Sequence, residues 1–170
     1  AGIDENGNQV GPMKGGIVIF AAGNDDRNYL SYPACYDEVL SVSSVTPDFR
    51  KAYYSNFAKL VDVAAPGGTY KKDGRYDDEC AVYSTLPDNK YGYMQGTSMA
   101  CPHVSGVGAL AVSRYGGPGF TPEKLKLYLT KGVNDIDQYN PNYKGLLGSG
   151  IADAYKAVSS DQGYAPEPVK

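Results

Sequence analysis

The run Gly96-Thr97-Ser98-Met99-Ala100-Cys101-Pro102-His103-Val104-Ser105-Gly106 places a hydroxyl just behind a glycine, at the head of a stretch with helical character. The first turn of a helix has backbone N–H groups without intrahelical acceptors, and they favour negative charge. Acyl transfer needs such a setting: an exposed hydroxyl, a base to take its proton, and donors aimed at the developing oxyanion. Ser98 supplies the hydroxyl, and its own N–H supplies one donor. Asn24, in Phe20-Ala21-Ala22-Gly23-Asn24, supplies a second through its side-chain amide. It follows the apolar run Ile17 to Ala22, at the carboxyl end of a strand, where open α/β sheets form their sites. Taken alone, Ser98 reads as an N-cap serine and Asn24 as part of a Gly-Asn turn.

No base is evident. His103 is the one histidine. Five residues along a helix rotate a side chain by about 140°, to nearly the opposite face from Ser98, so His103 is assigned a structural role. The three cysteines, Cys35, Cys80 and Cys101, leave at least one thiol unpaired within the chain. A Cys35–Cys80 pair stays open, and Cys101 is expected as a free core thiol. A zinc set of these cysteines with His103 is disfavoured. Cys101 and His103 stand two apart on a helix, and no Cys-x-x-Cys is present.

These groups need a frame. Ile17 to Ala22 is apolar throughout and reads as a strand buried on both faces, as in parallel sheets. Val39 to Val45 and Lys59 to Ala65 read as further strands, closed by Thr46-Pro47-Asp48 and Pro66-Gly67-Gly68. Thr69 to Glu79 is charged and reads as an exposed loop. Val82 to Thr85 and Tyr91 to Met94 read as a hairpin around Leu86-Pro87-Asp88-Asn89-Lys90. Ser98 to Tyr115 reads as a helix apolar or small on every side, hence buried. A second helix starts at Thr121-Pro122-Glu123 and runs to Thr130, and a short third spans Asp153 to Val158. Residues 1–16 read as a loop or linker, residues 159–170 as a flexible tail.

Composition narrows the classes. With 170 residues, a net charge of −3 and a pI near 5.1, the chain suits one domain with a core and lacks the basic face of a nucleic-acid binder. No stretch approaches a membrane span in length.

The serine and asparagine segments resemble those of the subtilisin-like serine proteases (subtilases). The resemblance extends through Tyr32-Pro33, Val61-Asp62-Val63-Ala64-Ala65-Pro66-Gly67, Ser84-Thr85-Leu86-Pro87-Asp88-Asn89-Lys90-Tyr91-Gly92 and the closing segment Gly145 to Ala157. Residues 17–158 then correspond to the C-terminal portion of a subtilase catalytic domain. The implied fold is α/β, a mainly parallel sheet flanked by helices, present as a partial domain. The implied function is serine endopeptidase action through an acyl-enzyme on Ser98, with Asn24 in the oxyanion hole. The family's Asp-Ser/Thr-Gly and His-Gly motifs do not occur, and the catalytic Asp and His are expected upstream. The alternative is a non-catalytic relative, a pseudoprotease or binding module.

The resemblance further implies a substrate pocket at Ala21, Ala22, Gly23 and Ser31, where small residues leave room for a large apolar side chain. It places the histidine of the Pro-His pair beneath the site. No cofactor is required. A weakly bound Ca or Na ion is implied near the carbonyls of Ala34, Tyr36 and Val39 and the carboxylate of Asp62. Met99, next to Ser98, is expected to be sensitive to oxidation. Expected partners are a peptide or protein substrate and the N-terminal part of the same domain, with no nucleic acid and no membrane span. The expected location is secreted or cell envelope. Strand Ile17 to Ala22 would lose a neighbour in a partial domain, so self-association through its edge is expected.

Overall fold

The computed structural model describes residues 2–72 and 74–159. Its strands are β1 (Val18–Ala21), β2 (Val39–Val45), β3 (Val63–Pro66), β4 (Lys71–Lys72), β5 (Arg75–Tyr76), β6 (Val82–Leu86), β7 (Lys90–Met94), β8 (Val133–Asn134) and β9 (Ile151–Ala152). Its helices are α1 (Thr97–Tyr115), α2 (Pro122–Lys131) and α3 (Ala154–Val158). The main sheet has the order β1-β2-β3-β9-β8, parallel from β1 to β9 and antiparallel at β8. The chain thus has a mostly parallel sheet with helices against it.

β2 is an inner strand, flanked by β1 and β3, and all seven of its residues are buried. Alternation divides its side chains between two layers. Leu40 and Val42 join Val63 and Ala65 of β3 against Ala100, Val104 and Ala111 of α1 and Leu125, Tyr128 and Leu129 of α2. On the opposite face Val45 and Ala64 pack with Ile136, Leu147 and Ile151. β2 also buries three serines, and each hydroxyl is satisfied: Ser41 donates to Leu60 O (2.8 Å), Ser43 to Leu147 O (3.0 Å), and Ser44 shares a 2.8 Å bond with the Tyr54 hydroxyl. Pairing removes most of the cost of burying them.

α1 opens on Gly96 and closes at Gly116, with Pro102 inside it. The proline lies in the second turn, where it cannot donate to the carbonyl of Ser98. α2 has Thr121 as its N-cap, its side chain accepting from Lys124 N, and Pro122 at its first position. Asp153 caps α3 by accepting from Lys156 N. The hairpin β6–β7 pairs Val82 with Met94 through Leu86 with Lys90.

Several expectations need correction. β1 is not buried on both faces: it is an edge strand, with Val18 52% and Phe20 39% exposed. α1 is not enclosed either. Thr97, Ala100, Val104, Gly108 and Ala111 are buried, whereas His103, Ser105 and Leu110 are exposed. Both elements are apolar beyond what this chain covers. The third strand starts at Val63, not Lys59, because Asp62 turns its carboxylate back to Ser41 instead of continuing the ladder. Residues 69–79 are not plain loop: they form β4–β5 and lead into a short 3₁₀ turn at Asp78–Cys80. Cys101 is half-buried and a free thiol, and Cys35 is a free thiol too, so the Cys35–Cys80 pair is not formed. Residues 160–170, most of the expected tail, lie outside the described residues.

Candidate active site

Asn24 leaves the carboxyl end of β1, and Gly67 and Gly68 leave that of β3, so the parallel strands deliver both loops to the end of the sheet where α1 begins. The helix entry fixes the geometry. Thr97 N and Thr97 Oγ1 each donate to Asn24 Oδ1 at 2.9 Å. With its carbonyl oxygen taken, the Asn24 amide has its N–H groups left to offer. Thr97 N is spent on this bond, so the next free amide of the first turn is that of Ser98. Gly96 lies between the two donors. A Cβ built on it would come 3.7 Å from both Asn24 Nδ2 and Ser98 N. Its φ of 148° also lies where side chains are strained. Asn24 and Ser98 are exposed and Thr97 is fully buried, so the corner faces outward on an inner anchor.

Four side chains hold the corner that sequence reasoning did not single out. Thr97 Oγ1 accepts from Gly23 N at 3.3 Å besides donating to Asn24. Asn56, fully buried, accepts on Oδ1 from Asp25 N (2.9 Å) and Arg27 N (3.1 Å) and donates from Nδ2 to Ala22 O (3.2 Å). It therefore clamps the loop on both sides of Asn24. Lys51, with its side chain only 4% exposed, donates to Asp26 Oδ1 (2.6 Å), Ala52 O (3.0 Å) and Ser55 O (3.1 Å). Its ammonium also lies over the rings of Phe57 and Tyr143.

Tyr54 is the fourth. Its buried hydroxyl meets Gly67 O (2.9 Å), Gly68 O (2.7 Å) and Ser44 Oγ (2.8 Å), and it accepts from Gly96 N (2.9 Å). One phenol joins β2, the loop after β3 and the entry of α1. Burial, first of all, raises its pKa, so it stays a neutral donor. Gly67 sets the spacing here. A Cβ on it would meet Ser44 Oγ at 2.0 Å and Gly96 O at 2.5 Å.

His103 is carried by α1, where Nδ1 lies 2.8 Å from Met99 O. It is exposed rather than packed beneath the site, and its bond is to its own helix. Cys101 Sγ donates to Ile19 O at 3.4 Å, and burial raises its pKa, which keeps it an inert thiol. Met99 is half-buried.

Of the expected substrate residues, Ala21, Ala22 and Gly23 lead into Asn24. Ala22 is 1% exposed and packs with Leu30, Ala34, Ala58 and Val61, while Ser31 is exposed. The expected cation ligands come together in one cavity, lined among others by Ala34, Tyr36, Val39 and Asp62, but they do not fit a metal. Lys126 Nζ already lies 2.9 Å from Asp62 Oδ1. Among the described residues no group of three or more His, Cys, Asp or Glu converges to hold one. No helix among them is long and apolar enough to cross a membrane.

A serine in the first turn of α1 and an asparagine anchored by Thr97 thus meet at the carboxyl ends of the parallel strands of an α/β protein. The chain belongs to the subtilase family, whose model matches residues 3–164. It is similar to halolysin of Haloferax mediterranei, 38% identical over 147 residues covering 86% of this chain and 25% of that protein. It is also similar to thermitase of Thermoactinomyces vulgaris, 39% identical over 145 residues covering 85% of this chain and 45% of that one. Among solved structures, a protease of Pseudoalteromonas arctica superposes with a TM-score of 0.72 at 36% identity, covering 85% of this chain and 42% of that chain. The chain thus spans a quarter to under half of these relatives' lengths.

Proposed function

We propose that this chain is the nucleophile- and oxyanion-bearing part of a serine endopeptidase. The observation that carries the reading is the pair of bonds from Thr97 to Asn24 Oδ1, which commits the asparagine amide to present N–H beside Ser98. In the proposed reaction Ser98 Oγ attacks the scissile carbonyl carbon while its proton passes to a base. The carbonyl π pair moves onto oxygen, and Asn24 Nδ2–H and Ser98 N–H receive that charge. Collapse expels the amine, which takes the proton from the base, and leaves an acyl ester on Ser98. Water then reverses the sequence. His103 is bonded to Met99 O on its own helix, so the base is a group outside these residues. The remainder of such a domain would cover the exposed side of β1.

The substrate is a peptide or protein. Ala21, Ala22, Gly23 and Ser31 are proposed to form one wall of the pocket for the residue before the cleaved bond. Secretion is the favoured location, supported by relatives such as the extracellular basic protease of Dichelobacter nodosus.

The test is a fluorophosphonate probe, applied to the 170-residue chain and to a complete domain carrying it. Triad groups act as a unit, so the chain alone should stay unlabelled, while the complete domain is labelled at Ser98 and not in its S98A variant. Rapid labelling of the chain alone would refute the base assignment. A complete domain that folds but neither labels nor cleaves would favour the non-catalytic relative.

A further inference from the structure

We infer that the ammonium of Lys126 takes the place of a bound metal cation beside Asp62, so that this chain carries its own cation at that site. The geometry is that of an –NH₃⁺ group with its three donors used. Lys126 Nζ lies 2.9 Å from Asp62 Oδ1, 3.3 Å from Asp37 O and 3.3 Å from Val39 O. These acceptors come from the loop before β2, the start of β2 and the turn before β3, and the lysine reaches them from α2. Both partners are largely covered, with side-chain exposures of 32% and 18%.

Both Asp62 oxygens and the carbonyls of Tyr36 and Val39 already accept hydrogen bonds within the chain. Calcium asks for six to eight oxygens at about 2.3–2.6 Å. Asp62 Oδ2 accepts from Ser41 N at 2.7 Å, while Oδ1 holds the ammonium. Tyr36 O accepts from Val39 N at 3.1 Å, and Val39 O accepts from Lys126. Charge argues the same way. The cavity is lined by Asp37 and Asp62 against Lys59 and Lys126 and is already neutral without an ion. A divalent ion would have to expel one ammonium and remain near another.

The lysine is held in place as well as attracted. Its neighbour Leu125 is 2% exposed in the core and Leu129 is fully buried, which anchors α2 and sets the backbone of residue 126 within reach of Asp62. The same loops contribute Ala34 and Val61, which pack on Ala22 two residues before Asn24. The ammonium therefore braces the wall behind the oxyanion corner without drawing on an ion from solution.

The experiment uses the full chain and reads metal binding and Tm, so its outcome is independent of any peptidase activity. Wild type, K126M, K126Q and the double variant K126M/D62N are compared in EDTA and in calcium up to about 10 mM, above the range of weak extracellular sites. Ionic strength is held constant with choline chloride. Terbium luminescence sensitised by nearby tyrosines reports binding directly.

Wild type should show no saturable binding and no calcium-dependent rise in Tm. K126M and K126Q should gain both, and the double variant should lose them. Ser41 still pairs with Asp62 in the single variants, which favours their folding. Saturable, Asp62-dependent binding by wild type would overturn the inference. So would K126M and K126Q that fold yet bind no more tightly than wild type. If neither folds, the wild-type measurement with D62N as its control decides alone.

Discussion

The Asn24–Thr97 corner and the exposed sides of β1 and α1 lie at neighbouring parts of one sheet and are finished very differently. At the corner the polar groups are paired within the chain. Asn24 is held by Thr97, its loop by Asn56 and Lys51, and the helix entry by Tyr54. Along β1 and α1, Val18, Phe20 and Leu110 stay exposed, and among the described residues β1 has a partner on one edge only. The preorganisation of the donors is thus local to these residues, whereas the burial for which β1 is composed is not. A group can be positioned for chemistry in a chain that does not finish its own core.

The largest effect is expected at the corner. In a complete domain, N24A should lower kcat by about 10²–10³-fold, the magnitude known for an oxyanion-hole asparagine of subtilisin, with KM little changed. A loss under tenfold would mean that Asn24 does not meet the oxyanion. Along β1 the comparison predicts association of the chain with itself, read by sedimentation velocity. V18K should reduce it, since residue 18 points outward, whereas Ile19 packs towards the core and a lysine there would confound association with unfolding. A wild-type monomer at tens of micromolar, unfolding cooperatively, would break the contrast.

Smaller effects sharpen the contrast. Y54F removes one hydroxyl and takes a partner from Gly68 O and Ser44 Oγ, while Gly96 N keeps its 3.0 Å bond to Gly67 O. It should cost about 1–3 kcal/mol in urea unfolding. A cost indistinguishable from that of an exposed Y155F would show that the phenol is not the joint described. The smallest effect concerns Asp153, whose carboxyl lies below its ordinary value chiefly because Lys156 N–H donates to it. A depressed pKa contributes stability above the unfolded value, and that contribution is lost as pH falls through the folded one. D153N keeps the cap but should show a flatter decline of Tm below about pH 4.

The site was legible in the sequence where chemistry and local structure coincide. Ser98 and Asn24 sit in runs of unusual residues at element ends. The β6–β7 hairpin announced itself by Pro87-Asp88-Asn89, and α2 by Thr121-Pro122. The supports were not legible, because their partners are far away in the chain. Tyr54 reads as one of 16 tyrosines until its hydroxyl is seen between residues 44, 67, 68 and 96. Lys126 reads as a surface lysine of an amphipathic helix until Asp62 is placed beneath it. β1 misled for the opposite reason: its apolar run is real, but composition states which residues suit burial and not what covers them.

The close approach at Gly67 bears on how such a site can change over generations. Ser44 and Gly96 leave no room there for even a methyl group, so every substitution at residue 67 has to move the strand or the helix. A mutational library should return glycine at this position whatever reactivity is selected, while exposed Ser31 and Met94 accept variety. Variation is then open at exposed positions, and the distance between the sheet and the entry of α1 is closed to tinkering.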